Sequence, residues 1–459
     1  MRRETIHTGC LAALLPILLL LAGCAPSGAG AERAPVILIV IDTLRTDALG
    51  CYGAERSATP RLDAWSGECV RFETAYSQAP WTLPSFASLL TSTFPAEHGA
   101  LGKREKKNFF PIREELVTAA EVYSEAGYRT GAIVNNIFLR GDFGFERGFD
   151  NYDFFPATVV KTRGADEVTG LGLRWLKEHA RSGDPYFLML HYFDPHFTYR
   201  PPREFLQEYG GSYTDAIKKI AHPDDVRSGK VNLNPWDKDS LRSLYEGEVA
   251  FADSEVGRLL DWLDAEGLMD EAVVIVTSDH GEEFWDHGGF EHGHTQYEEL
   301  IRVPLLIRFP EARHQGRVVK EPVRLMDLMP TLFDSADIEP PPTFKGASFL
   351  SAIEGKDSAS TDPFLFEGCL YGTERKALRV DRLKLIRDVE TGERMLFDLL
   401  ADPGERTDIA TERTKESEVL TETLERVLKG LKAGSGQADQ AVDLPPELME
   451  ALEGLGYAK

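Results

Sequence analysis

Short apolar runs without polar alternation punctuate this chain. Residues 34–41 (APVILIVI), 186–190 (YFLML), 272–277 (AVVIVT) and 302–307 (RVPLLI) are of this kind and rich in β-branched residues. Such runs predict strands covered on both faces, as in a parallel sheet. Residues 70–75 and 131–134 predict two more strands. Between the runs the apolar period becomes helical. Helices are predicted from Thr59-Pro60 to about Ser66, over 114–127 through Leu116, Ala119, Val122 and Tyr123, over 167–180, and over the long stretch 241–266. Strand and helix alternate with no internal repeat. The expected fold class is therefore α/β, a doubly wound, mostly parallel sheet with helices on both faces. From about Pro322 the pattern shifts. A helix opens at Asp327-Leu328, Pro340 to Pro342 make a stiff turn, and short strands are predicted near 377–388 and 395–398. This reads as a small α+β C-terminal part. A Gly/polar stretch, 433–441, then precedes an amphipathic helix, 445–455.

The N-terminus adds an address. Arg2 and Arg3 precede an apolar run, Leu11 to Leu21, that is broken by Pro16 and ends in Leu-Ala-Gly-Cys24. A basic start and a short apolar core predict an export signal rather than a spanning helix. The final tetrapeptide resembles the bacterial lipobox, whose cysteine is lipidated, so Cys24 is the expected lipidation site. Membrane attachment through that N-terminal lipid anchor is the partner this implies. Ala25 in place of Asp suits the outer membrane, so the expected location is the bacterial cell envelope, as an outer-membrane lipoprotein or periplasmic. A plain secretory signal or an uncleaved anchor is the alternative.

Composition is that of an ordinary globular protein, with 42% hydrophobic and 27% charged residues in 459. The net charge of −24 excludes nucleic acid as an expected partner, since phosphates select basic surfaces. Cys51, Cys69 and Cys369 show no paired metal-knuckle spacing, and Cys51 with Cys69 is open to pairing in an exported chain.

Candidate chemistry gathers where the apolar runs end, which is where open α/β sheets bind ligands. The first run ends in Asp42-Thr43, the second, Tyr186 to Leu190, leads to His191 and then Asp194-Pro195-His196, and 272–277 leads to Ser278-Asp279-His280. Thr82 precedes Pro84 at a predicted helix start, so it is either a helix cap or a hydroxyl aimed at an anion-binding helix terminus. Asp42, Thr82, Asp279 and His280 together make a divalent-metal set, with calcium, manganese and zinc all compatible. A metal there would lower the Thr82 hydroxyl pKa. His196 and His294 are candidates for binding ester oxygens or moving a proton to the leaving group.

The chain resembles the sulfatase family of the alkaline-phosphatase-like superfamily over nearly its whole mature length. Residues 42–53 (DTLRTDALGCYG) resemble its first metal motif, and 277–282 (TSDHGE) its second. Residues 82–99 resemble the nucleophile segment, Asp194-Pro195-His196 a substrate motif, and 395–399 with 402–405 the C-terminal signature. The departures are specific. Sulfatases convert a Cys or Ser within Cys/Ser-x-Pro-x-Arg to formylglycine, whereas this chain has Thr82 and, at the Arg position, Phe86. Thr43 replaces one of two aspartates, Asn135-Asn136-Ile137-Phe138 replaces a Gly-Lys-x-His segment, and His292-Gly293-His294 stands where a lysine is usual. A threonine nucleophile is similar to the phosphodiesterase and phosphoglycerol-transferase branches of the superfamily. The expected division is residues 1–23 as lipoprotein signal, 24–33 as tether, 34–335 as sulfatase-like catalytic domain, 336–432 as C-terminal subdomain and 433–459 as linker and terminal helix. The family resemblance implies a metal-dependent hydrolase of phosphate or sulfate esters, phosphate favoured, acting on a small-molecule or glycan/lipid ester. Thr82 is then the nucleophile, with His196, His294 and Asn136 touching substrate. The alternatives are an envelope phospho-group transferase and a non-catalytic lipoprotein that binds a glycan or protein partner.

Overall fold

The apolar runs form the centre of one sheet. The computed structural model describes residues 33–158, 161–356, 364–433, 440–455 and 457. The Cys24 lipidation site, the signal segment and most of the 433–441 stretch lie outside the described residues. Its principal sheet contains β1 (Val36–Ile41), β2 (Val70–Phe72), β3 (Arg129–Val134), β4 (Asn151–Phe154), β5 (Tyr186–Tyr192), β6 (Val273–Thr277), β7 (Leu305–Arg308) and β8 (Val318–Val319). They lie in the order β8-β2-β7-β6-β1-β5-β3-β4. The five strands from β6 to β4 are mutually parallel, while β7 runs antiparallel to both β6 and β2. In register, Val40 lies opposite His191 on one side and Thr277 on the other, so three strands end at one level.

Each face of the sheet buries its own core. Val36, Leu38 and Val40 of β1 join one apolar cluster, and Ile37, Ile39 and Ile41 join the other, as a period of two requires. The first cluster is covered by α2 (Thr82–Thr91), α3 (Ala119–Glu125) and α6 (Leu328–Ser335). The second is covered by α1 (Pro60–Trp65), α4 (Ala165–His179) and the long α5 (Pro235–Ala265). Beyond β8 follow an antiparallel sheet of β9 (Phe364–Phe366), β10 (Arg375–Val380), β11 (Leu383–Asp388) and β12 (Arg394–Asp398), then α7 (Thr414–Ala433) and α8 (Pro446–Leu455). Residues from Ala34 onward make a single compact unit.

Local chemistry moved several predicted boundaries. The expected helix over 114–127 begins only at Ala119, because Thr118 and Glu121 form a reciprocal capping box. The strand predicted over 302–307 breaks at Pro304, which has no N–H to donate, and Arg302–Val303 joins a separate small sheet. The strand predicted over 70–75 likewise splits, with Ala75–Tyr76 in that small sheet. Cys51 and Cys69 do not pair. Both are free, and the buried Cys69 thiol donates to Trp65 O, 3.4 Å away.

Candidate active site

The carboxyl ends of β1, β3, β5 and β6 bring Asp42, Asn136, His191 and Asp279-His280 together. Thr82 faces them from the opening residue of α2. It does not cap that helix, since Trp81 is the N-cap and makes no side-chain capping bond. The Thr82 hydroxyl instead turns to His280 Nε2 at 3.4 Å and accepts from Asn136 Nδ2 at 3.2 Å. The same Asn136 amide group donates to Asp42 Oδ2 at 2.9 Å. Its orientation is fixed from behind, because Asn136 Oδ1 accepts the Phe138 N–H at 3.0 Å.

The loops carrying these groups are locked to one another. Thr43 sits at φ +55°, a costly conformation for a β-branched residue. Tyr245 of α5 holds it there: the phenol donates to Thr43 O at 3.0 Å and accepts from Arg45 N–H at 2.9 Å. Arg45 donates to Glu282 O at 2.6 Å and to Asp286 at 2.7 Å, tying the first loop to the loop after β6. Ser85, one turn along α2, donates to Asp279 O at 2.6 Å. Three distant stretches thus share one rigid frame.

The donor set fits a divalent cation. Asp42, Asp279 and His280 each offer an atom within 4.8 Å of the others. Asp42 Oδ1 and both Asp279 carboxylate oxygens are buried without a hydrogen-bond partner, which is expensive for any charge not paired or coordinated. His280 Nδ1 donates to Gly281 O at 2.9 Å, leaving Nε2 with a free lone pair directed into the cluster. Burial, then the neighbouring Asp42 charge, push the Asp279 carboxyl well above its ordinary range. Burial also acts to raise Asp42, but the His191 hydrogen bond and the nearby imidazoles outweigh it and hold that carboxyl at about 2. Two carboxylates so close, one of them forced toward neutrality, show a local charge imbalance that a cation corrects.

The histidines divide. His196 Nδ1 donates to Phe197 O at 2.6 Å, and its Nε2 reaches the Tyr457 hydroxyl. His292, absent from the predicted site, lies with its ring centroid 4.4 Å from that of His280 and 5.0 Å from that of His196. Its Nδ1 donates to Glu282 Oε1 at 2.8 Å, and Tyr199 donates to the other Glu282 oxygen at 3.0 Å. His294 is not brought into this group. Its two nitrogens contact Glu283 Oε2 at 2.6 Å and Tyr371 Oη at 2.9 Å, on the far side of Gly293. The alternation His-Gly-His hides which imidazole turns inward, and Gly293 at φ +88° sets that turn. His191, also unforeseen, stands 3.3 Å from Asp42 Oδ2 with its ring edge against Phe86 at 5.3 Å. It was visible as the polar end of an apolar run. Tyr457 had no sequence signal at all.

Comparison with known proteins places this geometry. The sequence model described as Sulfatase matches residues 35–338, and that described as N-sulphoglucosamine sulphohydrolase, C-terminal, matches residues 285–433. The chain is 27% identical to an arylsulfatase of Clostridium perfringens, covering 87% of this chain and 95% of that one. It is 25% identical to an N-acetylglucosamine-6-O-sulfatase of Bacteroides thetaiotaomicron, covering 91% of each. Among solved structures, a protein in complex with its substrate D-glucosamine-2-N,6-O-disulfate superposes with TM-score 0.72 at 22% identity, over 88% of this chain and 99% of that one. The phosphonate monoester hydrolase of Agrobacterium radiobacter superposes with TM-score 0.69 at 19% identity, over 90% of this chain and all of the other. The fold is alkaline-phosphatase-like.

Proposed function

We propose a reaction for this chain on one premise: it belongs to the sulfatase family, enzymes that hydrolyse sulfate esters. The reaction is metal-dependent hydrolysis of a sulfate or phosphate ester, with Thr82 as nucleophile in the position of the family's formylglycine precursor. The observation that carries it is the Thr82 hydroxyl, aimed into the Asp42–Asp279–His280 cluster and bonded to Asn136. Asp42, Asp279, His280 and Thr82 would hold a calcium, manganese or zinc ion, which when bound would supply Lewis-acid chemistry that lowers the hydroxyl pKa and offsets negative charge. Asn136 orients the Thr82 oxygen and adds a donor to the same anionic centre. As the Thr82 oxygen attacks phosphorus or sulfur its proton passes to Nε2 of His292 or His196, the bond to the leaving oxygen breaks, and the imidazolium so formed delivers that proton to the leaving oxygen. Glu282 steadies His292 for this role. Water then attacks the phosphorus or sulfur of the Thr82 ester, the bond from that atom to the Thr82 oxygen breaks, the Thr82 oxygen takes up a proton from the attacking water, and the phosphate or sulfate product departs. Phosphate is the favoured ester, because a threonine hydroxyl cannot form the aldehyde hydrate of formylglycine and must release its adduct by direct attack at the central atom.

Turnover of chromogenic phosphodiester, phosphomonoester and sulfate substrates, with the three metals varied, tests this reading. Metal-dependent turnover is expected, lost by at least about a thousandfold in Thr82→Ala. Turnover that survives Thr82→Ala overturns the nucleophile assignment. The substrate class extends, by likeness to glycan sulfatases, to an ester on a sugar or lipid. The location we propose is the bacterial envelope, through lipid on Cys24. Intact-protein mass spectrometry of the membrane fraction from wild type and Cys24→Ala tests that, and an unlipidated wild type overturns it.

A further inference from the structure

An ester hydrolase must admit an ester, yet the site is sealed. Asp42, Thr82, Asn136, His191, Asp279, His280 and His292 are each at most 1% exposed, and His196 is 2% exposed. A late stretch of the same chain closes it. Val442 N–H donates to Phe109 O at 2.8 Å, and Glu453 pairs with Lys107. Leu444, Leu452, Leu455 and Tyr457 are buried in the apolar cluster that also contains Trp81, Phe109 and Phe138. The Tyr457 ring stands edge-on to Phe138 with centroids 4.8 Å apart. Its hydroxyl bonds His196 Nε2 and lies 3.1 Å from His292 Nε2. Both imidazole nitrogens that face the site thus end on one phenol oxygen, which stands where an ester must bring an oxygen to be protonated.

Charge points the same way. Residues 440–457 contain Asp443, Glu447, Glu450 and Glu453 and no Lys or Arg. An anionic ester and this acidic segment disfavour each other's presence. On its inner side the segment is held by a few apolar contacts, with Leu448, Met449 and Ala451 only partly buried.

We propose that residues 440–455 with Tyr457 form an intramolecular plug, in which Tyr457 holds a substrate oxygen's place against His196 and His292 and must leave before turnover. The inference rests on the hydrolase reading of the same site and deepens it with a gate. A plug that keeps most molecules closed reduces kcat/KM by the closed-to-open ratio. Loosening it therefore raises activity, whereas removing a catalytic phenol lowers it.

Two measurements on the full chain test the plug. The first is ester turnover by Tyr457→Ala, Tyr457→Phe and Leu452→Ala, the last removing a buried apolar side chain of the segment and so loosening it without altering the Tyr457 phenol. The second is hydrogen exchange of the 446–455 amides with and without inorganic phosphate or sulfate. The expected result is a kcat/KM raised roughly three- to tenfold in Tyr457→Ala and Leu452→Ala, less in Tyr457→Phe, with faster exchange on adding the anion. Lower or unchanged kcat/KM in both Tyr457→Ala and Leu452→Ala, with exchange indifferent to anion, overturns the plug. Absence of turnover in every variant, with exchange still accelerated by Tyr457→Ala and by the anion, overturns the hydrolase reading and supports the plug.

Discussion

Asn136 touches both a candidate metal ligand and the candidate nucleophile, so its amide links binding to attack. Asn136→Ala is expected to lower kcat roughly ten- to a hundredfold, the range for supporting residues around metal sites. Metal affinity by titration calorimetry should weaken in parallel, which a purely structural loss of stability does not require. His98 makes a different prediction. It is fully buried, and its Nδ1 accepts the Ala100 N–H at 3.0 Å, a bond that protonation of Nδ1 destroys. Burial pushes its pKa down to about 3 from an ordinary 6.5. The folded state therefore binds fewer protons than the unfolded chain through this interval. The stabilisation is complete above about pH 6.5 and is lost as pH falls from there toward 3. Thermal melts of His98→Gln across that window should show a shallower acid slope than wild type, and equal slopes refute the assignment. At this scale the sequence exposed Asp42, Thr82, Asp279 and His280, because each follows an apolar run or opens a helix. It could not tell His292 from His294, since only the path of the loop through Gly293 decides which ring turns inward.

The elements were legible where burial is two-sided and obscure where local bonds compete. β1, β5 and β6 are unbroken apolar runs because sheet faces on both sides demand it. Helix α3 begins late because Thr118 and Glu121 cap it, a pairing present in the sequence but outweighed by the periodicity of Leu116. The segment after β6 carries a tighter constraint. A Cβ on Gly281 would lie 2.0 Å from Glu299 O, a backbone atom, and Gly281 N–H already donates to Leu300 O at 2.8 Å. Gly281→Ala must push the His280 loop away from the Glu298–Ile301 helix. We expect about 1–3 kcal/mol of destabilisation in urea unfolding, together with weakened metal binding as His280 shifts. A variant as stable as wild type contradicts the close approach.

Across the whole molecule, the order β8-β2-β7-β6-β1-β5-β3-β4 was beyond the sequence, because pairing between distant strands leaves no local periodicity. Nor did any residue type announce how the second sheet is fastened to the first. Lys384 of β11, fully buried, answers it: Nζ lies 3.0 Å from Glu298 and 2.9 Å from Glu405. Lys384→Met leaves the buried Glu405 and the partly buried Glu298 carboxylates facing each other and is expected to cost about 3–5 kcal/mol in chemical unfolding, whereas loss under about 1 kcal/mol would show a solvated pair. The neighbourhood of β1 and β6 has a further consequence, in time rather than space. Asp42 leaves the ribosome early and Asp279 only after more than half of the chain has been made. A cation held by Asp42, Asp279 and His280 would not find that full set on the nascent protein before then. Loading of that site would therefore be a late event, and a chain terminated before Asp279 would carry Asp42 and Thr82 of the proposed set but neither Asp279 nor His280.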